Sequence, residues 1–320
     1  YYELLHTALP AIQAYVKDGT LDSVIKEIEQ PDTLLWFIWC IQALSFRKGM
    51  EFVREKYGDI ITEVMEYLLA NKHPNLKIME NGLLYAEGRD KPITWMNSMI
   101  NGHPVVPRTG YIVEFNALWY NSLCFYREMF EKPSRQVTKL IEKIDKTFPA
   151  VFVNRHGYLF DYVYGGEQDW SVRPNMVLAI AMEYSPLTKA QKRVVLDVAT
   201  RELLTPKGLR TLSPKSEGYR PMACGPQHER TLSYHQGTAW PWLLGPYLFS
   251  YMNILGKSGF SFVERTLISM EEEMSLNCVG TISELYDGNP PFSGRGASSY
   301  LLSIASLLEV LALLDKLNAE

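Results

Sequence analysis

The run Gly280-Thr281-Ile282-Ser283-Glu284-Leu285-Tyr286-Asp287-Gly288 sets a carboxylate between apolar residues in a loop. Such a setting suits a general base, because an apolar wall tunes the carboxyl pKa and a loop can hold a water against it. Asp287, just before Gly288, reads as a second acid or as a turn residue, and turn chemistry fits the position better. Three more stretches mix tryptophan with hydrogen-bonding groups. One runs Thr94-Trp95-Met96-Asn97, Pro107-Arg108-Thr109-Gly110 and Val113-Glu114-Phe115-Asn116-Ala117-Leu118-Trp119-Tyr120. Another holds Asp161 and then Asp169-Trp170-Ser171-Val172-Arg173-Pro174-Asn175. The last is Tyr234-His235-Gln236-Gly237-Thr238-Ala239-Trp240-Pro241-Trp242. Sugars present apolar C–H faces and a ring of hydroxyls, so a site for them needs flat aromatic platforms beside fixed Arg, Glu, Asn or Gln groups. These stretches supply both.

Each candidate also has a plainer reading. Trp119 and Tyr120 suit core packing as well as a site wall, whereas Trp95 fits a site better. Asp169 and Arg173 can pair as a structural salt bridge. His235 stands beside Gln236, Trp240 and Trp242, which favours ligand contact over a lone structural histidine. No second histidine lies at metal-ligand spacing, so neither metal nor cofactor is expected. The phosphate-cradling and nucleophile-elbow motifs are missing as well.

The elements that must position these residues are helices in pairs. Periodicity marks helices over about 3–16, 31–47, 50–70, 115–131, 133–147, 174–184, 187–203, 235–255, 259–275 and 297–317. Asp32, Ser134 and Pro174 stand where helix starts are expected. Short connections alternate with long ones, about 71–114, 148–173, 204–234 and 276–296, which are rich in Trp, Tyr, Gly, Arg and His. Helices after long loops are apolar nearly all round, and their partners carry regular Lys, Glu and Arg. The pattern describes an all-α toroid, an α/α barrel of helical hairpins, expected to lack its first hairpin in this chain. Every long loop enters the N-terminus of an inner helix, so the loops should gather at one mouth.

Composition narrows the partners. A net charge of −4 without a basic run gives no nucleic-acid surface. No apolar stretch reaches membrane-spanning length. The four cysteines, Cys40, Cys124, Cys224 and Cys278, lie far apart, which fits reduced thiols and a cytoplasmic setting. The 320 residues read as one catalytic domain, a piece of a longer chain because it opens at Tyr1.

Taken together, TWMN with VPRTG and VEFNALWYNSL, then RPN, GLRTLSP, YHQGTAWPWLLGPY and ISELYDG, resemble the C-terminal amylo-α-1,6-glucosidase domain of glycogen debranching enzymes. They come in the family's order over nearly the whole chain. The resemblance implies an (α/α)6 toroid and inverting hydrolysis of α-1,6-linked glucose branches in glycogen or related α-glucans. It places the base on Glu284 and the acid position on Asn97, where the family carries Asp. Around them it implies a substrate site built from Trp95, Arg108, Glu114, Asn116, Trp119, Tyr120, Asp169, Arg173, Tyr234, His235, Gln236, Trp240, Trp242 and Asp287. An amide has no proton to give at neutral pH. Three readings follow: Glu114, Asp161 or Asp287 serves as acid, the chain is an impaired glucan-binding module, or the substitution was introduced to trap substrate.

Overall fold

Apolar residues on every face leave a helix no solvent side, and this sorts the helices of the computed structural model into inner and outer sets. The structure describes residues 31–130, 134–277 and 279–319; the helix expected over 3–16 lies outside them. Inner α1 (Thr33–Lys48) precedes outer α2 (Met50–Leu69), inner α3 (Val113–Met129) precedes outer α4 (Arg135–Phe152), and inner α5 (Asn175–Ala181) precedes outer α6 (Lys189–Glu202). A short helix, α7 (Gln227–Ser233), is followed by inner α8 (Leu244–Leu255), outer α9 (Phe260–Glu271) and the final α10 (Leu301–Ala319).

The contrast between α3 and α4 shows the rule. Every side chain from Val113 to Phe125 is buried, whereas α4 buries only Val137, Ile141, Ile144, Phe148 and Phe152. That spacing of three and four is a single stripe, which docks on α3 and leaves the Lys and Glu face outside. Inner helices touch in chain order, α1 with α3, α3 with α5, α5 with α8 and α8 with α10, and each outer helix packs on the inner one before it. Buried polar groups lock the row: Asn121 Nδ2 donates to Gln42 Oε1 of α1 at 2.6 Å, and its Oδ1 accepts from Tyr184 N at 3.2 Å. The result is a toroid of helical hairpins.

Some sequence expectations are corrected. Asp32 and Ser134 occupy N-cap positions, but neither side chain caps its helix; Asp32 instead accepts from Trp36 Nε1 at 2.8 Å. A full capping box stands at Thr188 and Gln191, ahead of α6. The helix expected over 235–255 begins only at Leu244. Gly237, at φ +141°, has the Tyr219 ring 2.6 Å from where a Cβ would lie, and Pro241 has no N–H to donate, so the chain turns, forms a strand and then a 3-10 turn first. Helix α10 is less enclosed than its composition suggests. It buries Ala305, Leu307, Val310 and Leu314 but leaves Leu301, Leu302, Leu308 and Leu311 exposed.

The long connections carry short strands. The first holds β1 (Leu76–Ile78), β2 (Leu84–Ala86), β3 (Met99–Ile100), β4 (His103–Pro104) and β5 (Tyr111–Ile112), and the second holds β6 (Tyr162–Tyr164) and β7 (Glu167–Gln168). Then come β8 (Leu204–Thr205), β9 (Gly208–Arg210), β10 (Ala239–Trp240), β11 (Leu285–Tyr286) and β12 (Gly294–Arg295). Antiparallel pairing ties loop to loop: Tyr111 opposes Val163, and Ala239 opposes both Arg210 and Tyr286. One sheet thus joins the first two loops and a five-stranded sheet joins the last two, which assembles a common rim.

Candidate active site

Glu284 reaches this rim from the residue before β11. Its neighbours Ile282, Ser283 and Leu285 are buried and anchor the segment, while the carboxylate stays half-buried. Backbone hydrogen bonds pin it: Glu284 N donates to Ala297 O at 2.8 Å, and Ala297 N donates to Glu284 Oε2 at 2.9 Å. The Tyr234 hydroxyl donates to Oε1. Burial first, and then the adjoining carboxylate, push the Tyr234 pKa far up, so this phenol stays a neutral donor. Gly296 adopts φ +69° and lies directly against the carboxylate, where any Cβ would collide with it.

Glu284 lines a cavity of about 700 Å³ together with Asn97, Ser98, Arg230, Tyr234 and Arg295. Asn97 is exposed at the end of the Trp95 loop. Its neighbour Trp95 is half-buried, donates from Nε1 to Asn175 Oδ1 at 2.8 Å, and meets Trp242 edge-on at 5.2 Å and Trp240 at 6.0 Å. Tyr234 packs on Trp240 at 4.9 Å, which links the Glu284 carboxylate to the indole cluster. His235 lies parallel to Trp240, shares a hydrogen bond of 2.9 Å between Nδ1 and Ser98 Oγ, and is buried. Desolvation, with the nearby Arg173 charge, holds its pKa down at about 3, so the ring is neutral.

A second group of expected site residues has a different position. Arg108 and Glu114, both buried, form a two-pronged ion pair; the second prong is 2.7 Å from Nη2 to Oε2. Arg108 Nε stands 2.8 Å from Asp161 Oδ2, and Arg173 Nε stands 4.0 Å from the same oxygen. Arg173 also donates to the carbonyls of Thr211 and His235 at 3.1 and 2.9 Å and to Gln236 Oε1 at 2.7 Å. Asn175 Nδ2 completes the network on Asp161 Oδ1 at 2.8 Å. Burial raises the Asp161 pKa to about 6, against the opposing pull of Arg108.

None of the three substitute acids is therefore presented to the Glu284 cavity. Glu114 and Asp161 are sealed with Arg108, and Asp287 is buried and held by Arg295 through contacts of 3.0 and 2.8 Å. Asp169 does not pair with Arg173; its Oδ1 accepts from Ser171 N at 2.6 Å, at a separate cavity. Asn116 clamps β2, accepting from Leu84 N at 2.7 Å and donating to Leu84 O at 3.0 Å. Trp119 donates to Gly82 O at 3.2 Å, and Tyr120 donates to Asp145 Oδ1 at 2.5 Å on outer α4, so both serve packing. Sequence reasoning missed Arg230, Arg295 and Gly296. The only signal was the Gly294-Arg295-Gly296 triplet, and nothing marked α7, which brings Arg230.

A family model for amylo-alpha-1,6-glucosidase matches residues 7–309. The chain is 25% identical over 256 residues to the glycogen debranching enzyme of Saccharomyces cerevisiae, a match covering 64% of this chain and 16% of that protein. A GH63 mannosylglycerate hydrolase from Thermus thermophilus, solved with Tris and D-glycerate, superposes with a TM-score of 0.61 at 13% identity, over 89% of this chain and 78% of that one. An uncharacterized conserved protein of the same organism gives a TM-score of 0.60 at 14% identity, over 89% and 77% of the respective chains. At such identities these two structures speak for the fold, the (α/α)6 barrel. With residues 7–309 of its 320 matched by the family model, the chain belongs to the amylo-alpha-1,6-glucosidase family, a family of glycoside hydrolases.

Proposed function

We propose that the Glu284 cavity is an inverting glycosidase site for α-1,6-linked glucose on glycogen or a related α-glucan, equipped with its base but lacking its proton donor. One observation carries this reading. Among the described residues lining that cavity, Glu284 is the one carboxylate, and Asn97 shares the cavity with it. Inverting hydrolysis uses two carboxyls about 6.5–9.5 Å apart, one protonating the leaving oxygen and the other drawing a proton from the attacking water. Glu284, braced by Tyr234 and the Ala297 amide, suits the second task, since both bonds aim the carboxylate and leave lone pairs for water. Asn97 can hydrogen-bond a glycosidic oxygen but cannot protonate it, which costs about 10²–10⁴-fold in rate. The glucose ring would lie against Tyr234, which lines the cavity and packs on the buried Trp240; neither Trp95 nor Trp240 is among the described residues lining it.

The bond cleaved tests the division of labour. Fluoride leaves without protonation, so α-glucosyl fluoride needs the base alone. The chain should hydrolyse the fluoride readily and a single-glucose α-1,6 branch slowly, and Asn97→Asp should raise the second rate by about 10²-fold or more. A second reading, a glucan-binding module without turnover, is favoured by the missing second carboxyl. It prevails if malto-oligosaccharide binds while neither the parent nor Asn97→Asp releases glucose or fluoride.

A further inference from the structure

The rim holds another cavity, of about 520 Å³, whose lining residues include none of those around Glu284. It opens where β5, β6 and β7 join the first two loops, beside Arg89, Thr109, Tyr164, Glu167, Asp169 and Trp170. Trp170 is 40% exposed, a large apolar surface to leave in water, yet it is firmly supported. Phe160 meets its ring edge-on at 4.7 Å, the Arg155 guanidinium sits 5.4 Å from its centroid, and its carbonyl accepts from the Tyr158 hydroxyl at 3.1 Å. Tyr164 is held too, with the Arg89 guanidinium 5.2 Å from its ring and hydrogen-bonded to its hydroxyl.

Held aromatic faces beside carboxylates and an amide are the chemistry that a polyhydroxylated, uncharged ligand requires. A charged ligand fits less well. Arg108 reaches the wall but is already neutralised by Glu114 and Asp161, and the lining sets two further carboxylates, Glu167 and Asp169, beside the single remaining guanidinium of Arg89. We propose that this cavity is a second, non-catalytic binding site for a segment of the same α-glucan, a proposal that rests on the glucosidase reading above. A branched polymer offers many chain segments, and holding one raises the local concentration of the others at the Glu284 cavity.

Affinity electrophoresis in glycogen gels and calorimetric titration with maltoheptaose provide the test, on the parent, Trp170→Ala, Trp170→Tyr and Glu167→Arg, which places a bulky charge on exposed β7. Trp170→Ala and Glu167→Arg should each weaken glycogen retention about 10-fold and remove one of two maltoheptaose sites, with α-glucosyl fluoride hydrolysis unchanged. Trp170→Tyr, keeping a ring, should recover most of the retention. Retention equal to the parent's in Glu167→Arg and a folded Trp170→Ala overturns the second site and leaves the glucosidase reading intact. Should glycogen and maltoheptaose bind neither parent nor variants while the fluoride is hydrolysed, the second site also falls. Failure of both binding and hydrolysis in the parent removes the glucosidase reading itself.

Discussion

The carboxylate of Glu284 and the cluster of Arg108, Glu114, Asp161 and Arg173 come from the rim loops and, for Glu114, the first turn of α3, yet their surroundings are opposite. Glu284 is half-buried, braced by a phenol and a backbone amide, and open to a cavity of about 700 Å³. The cluster is sealed, and its charges answer one another across 2.7–4.0 Å. Residue type and neighbouring motif marked both groups as candidates for chemistry. Solvent access and counter-charge separate them: a carboxylate facing a guanidinium in the dry interior has its charge balanced and no route to water, while one held by neutral donors at a cavity keeps lone pairs for a reacting water. The buried cluster has a different task. Through Asn175 it fixes the indole of Trp95, two residues from Asn97 in the rim loop.

The sharpest way to break this contrast is to neutralise each side in turn. Glu284→Gln should lower α-glucosyl fluoride hydrolysis by up to about 10⁴-fold with the unfolding midpoint unchanged; a variant that keeps its rate would move the base elsewhere. Arg108→Ala should do the reverse. It strands two buried carboxylates and should cost about 3–5 kcal/mol of stability, read from urea unfolding, because breaking a buried pair leaves an uncompensated charge. A loss under about 1 kcal/mol would mean the cluster is no more than a surface-like pair.

A smaller effect sharpens the boundary between the two regions at His235. Its pKa lies at about 3 in the folded chain, against an ordinary 6.5. Below pH 6.5 the unfolded chain binds a proton that the folded one refuses, so this contribution to stability is complete above that pH and is lost as the pH falls toward 3. The stability gap between the parent and His235→Gln should therefore be widest near pH 8 and narrow near pH 5 in paired urea titrations. A gap that widens on acidification would show that the imidazole is charged in the fold.

Much of the architecture was legible. The helices expected over 115–131 and 133–147 are present as an inner and an outer one, because a largely apolar helix must be buried and a charged one must keep a wet face; the outer helix runs on through Pro149 to Phe152, where a loop was expected. The segment 235–255 was less legible: apolar composition favours a helix, but strand pairing of Ala239 with Arg210 and Tyr286 outweighs it. Long-range pairing has no local signature. In the site, Glu284 stood out through its apolar neighbours, and the indoles through their type. The pairing of Arg173 with Asp161 rather than Asp169 did not, because these separations depend on how loops fold over one another. Arg295 was also hidden, since its partner Asp287 sits across a strand pair.

The sequence alone determined the helical alternation, the gathering of long loops at one end, the family, and the amide at position 97, because these depend on residue type and period. Only the tertiary structure decided which charges face a cavity and which are consumed within the protein. Burial and counter-charge are sums over neighbours distant in the chain, and a linear pattern carries no record of them.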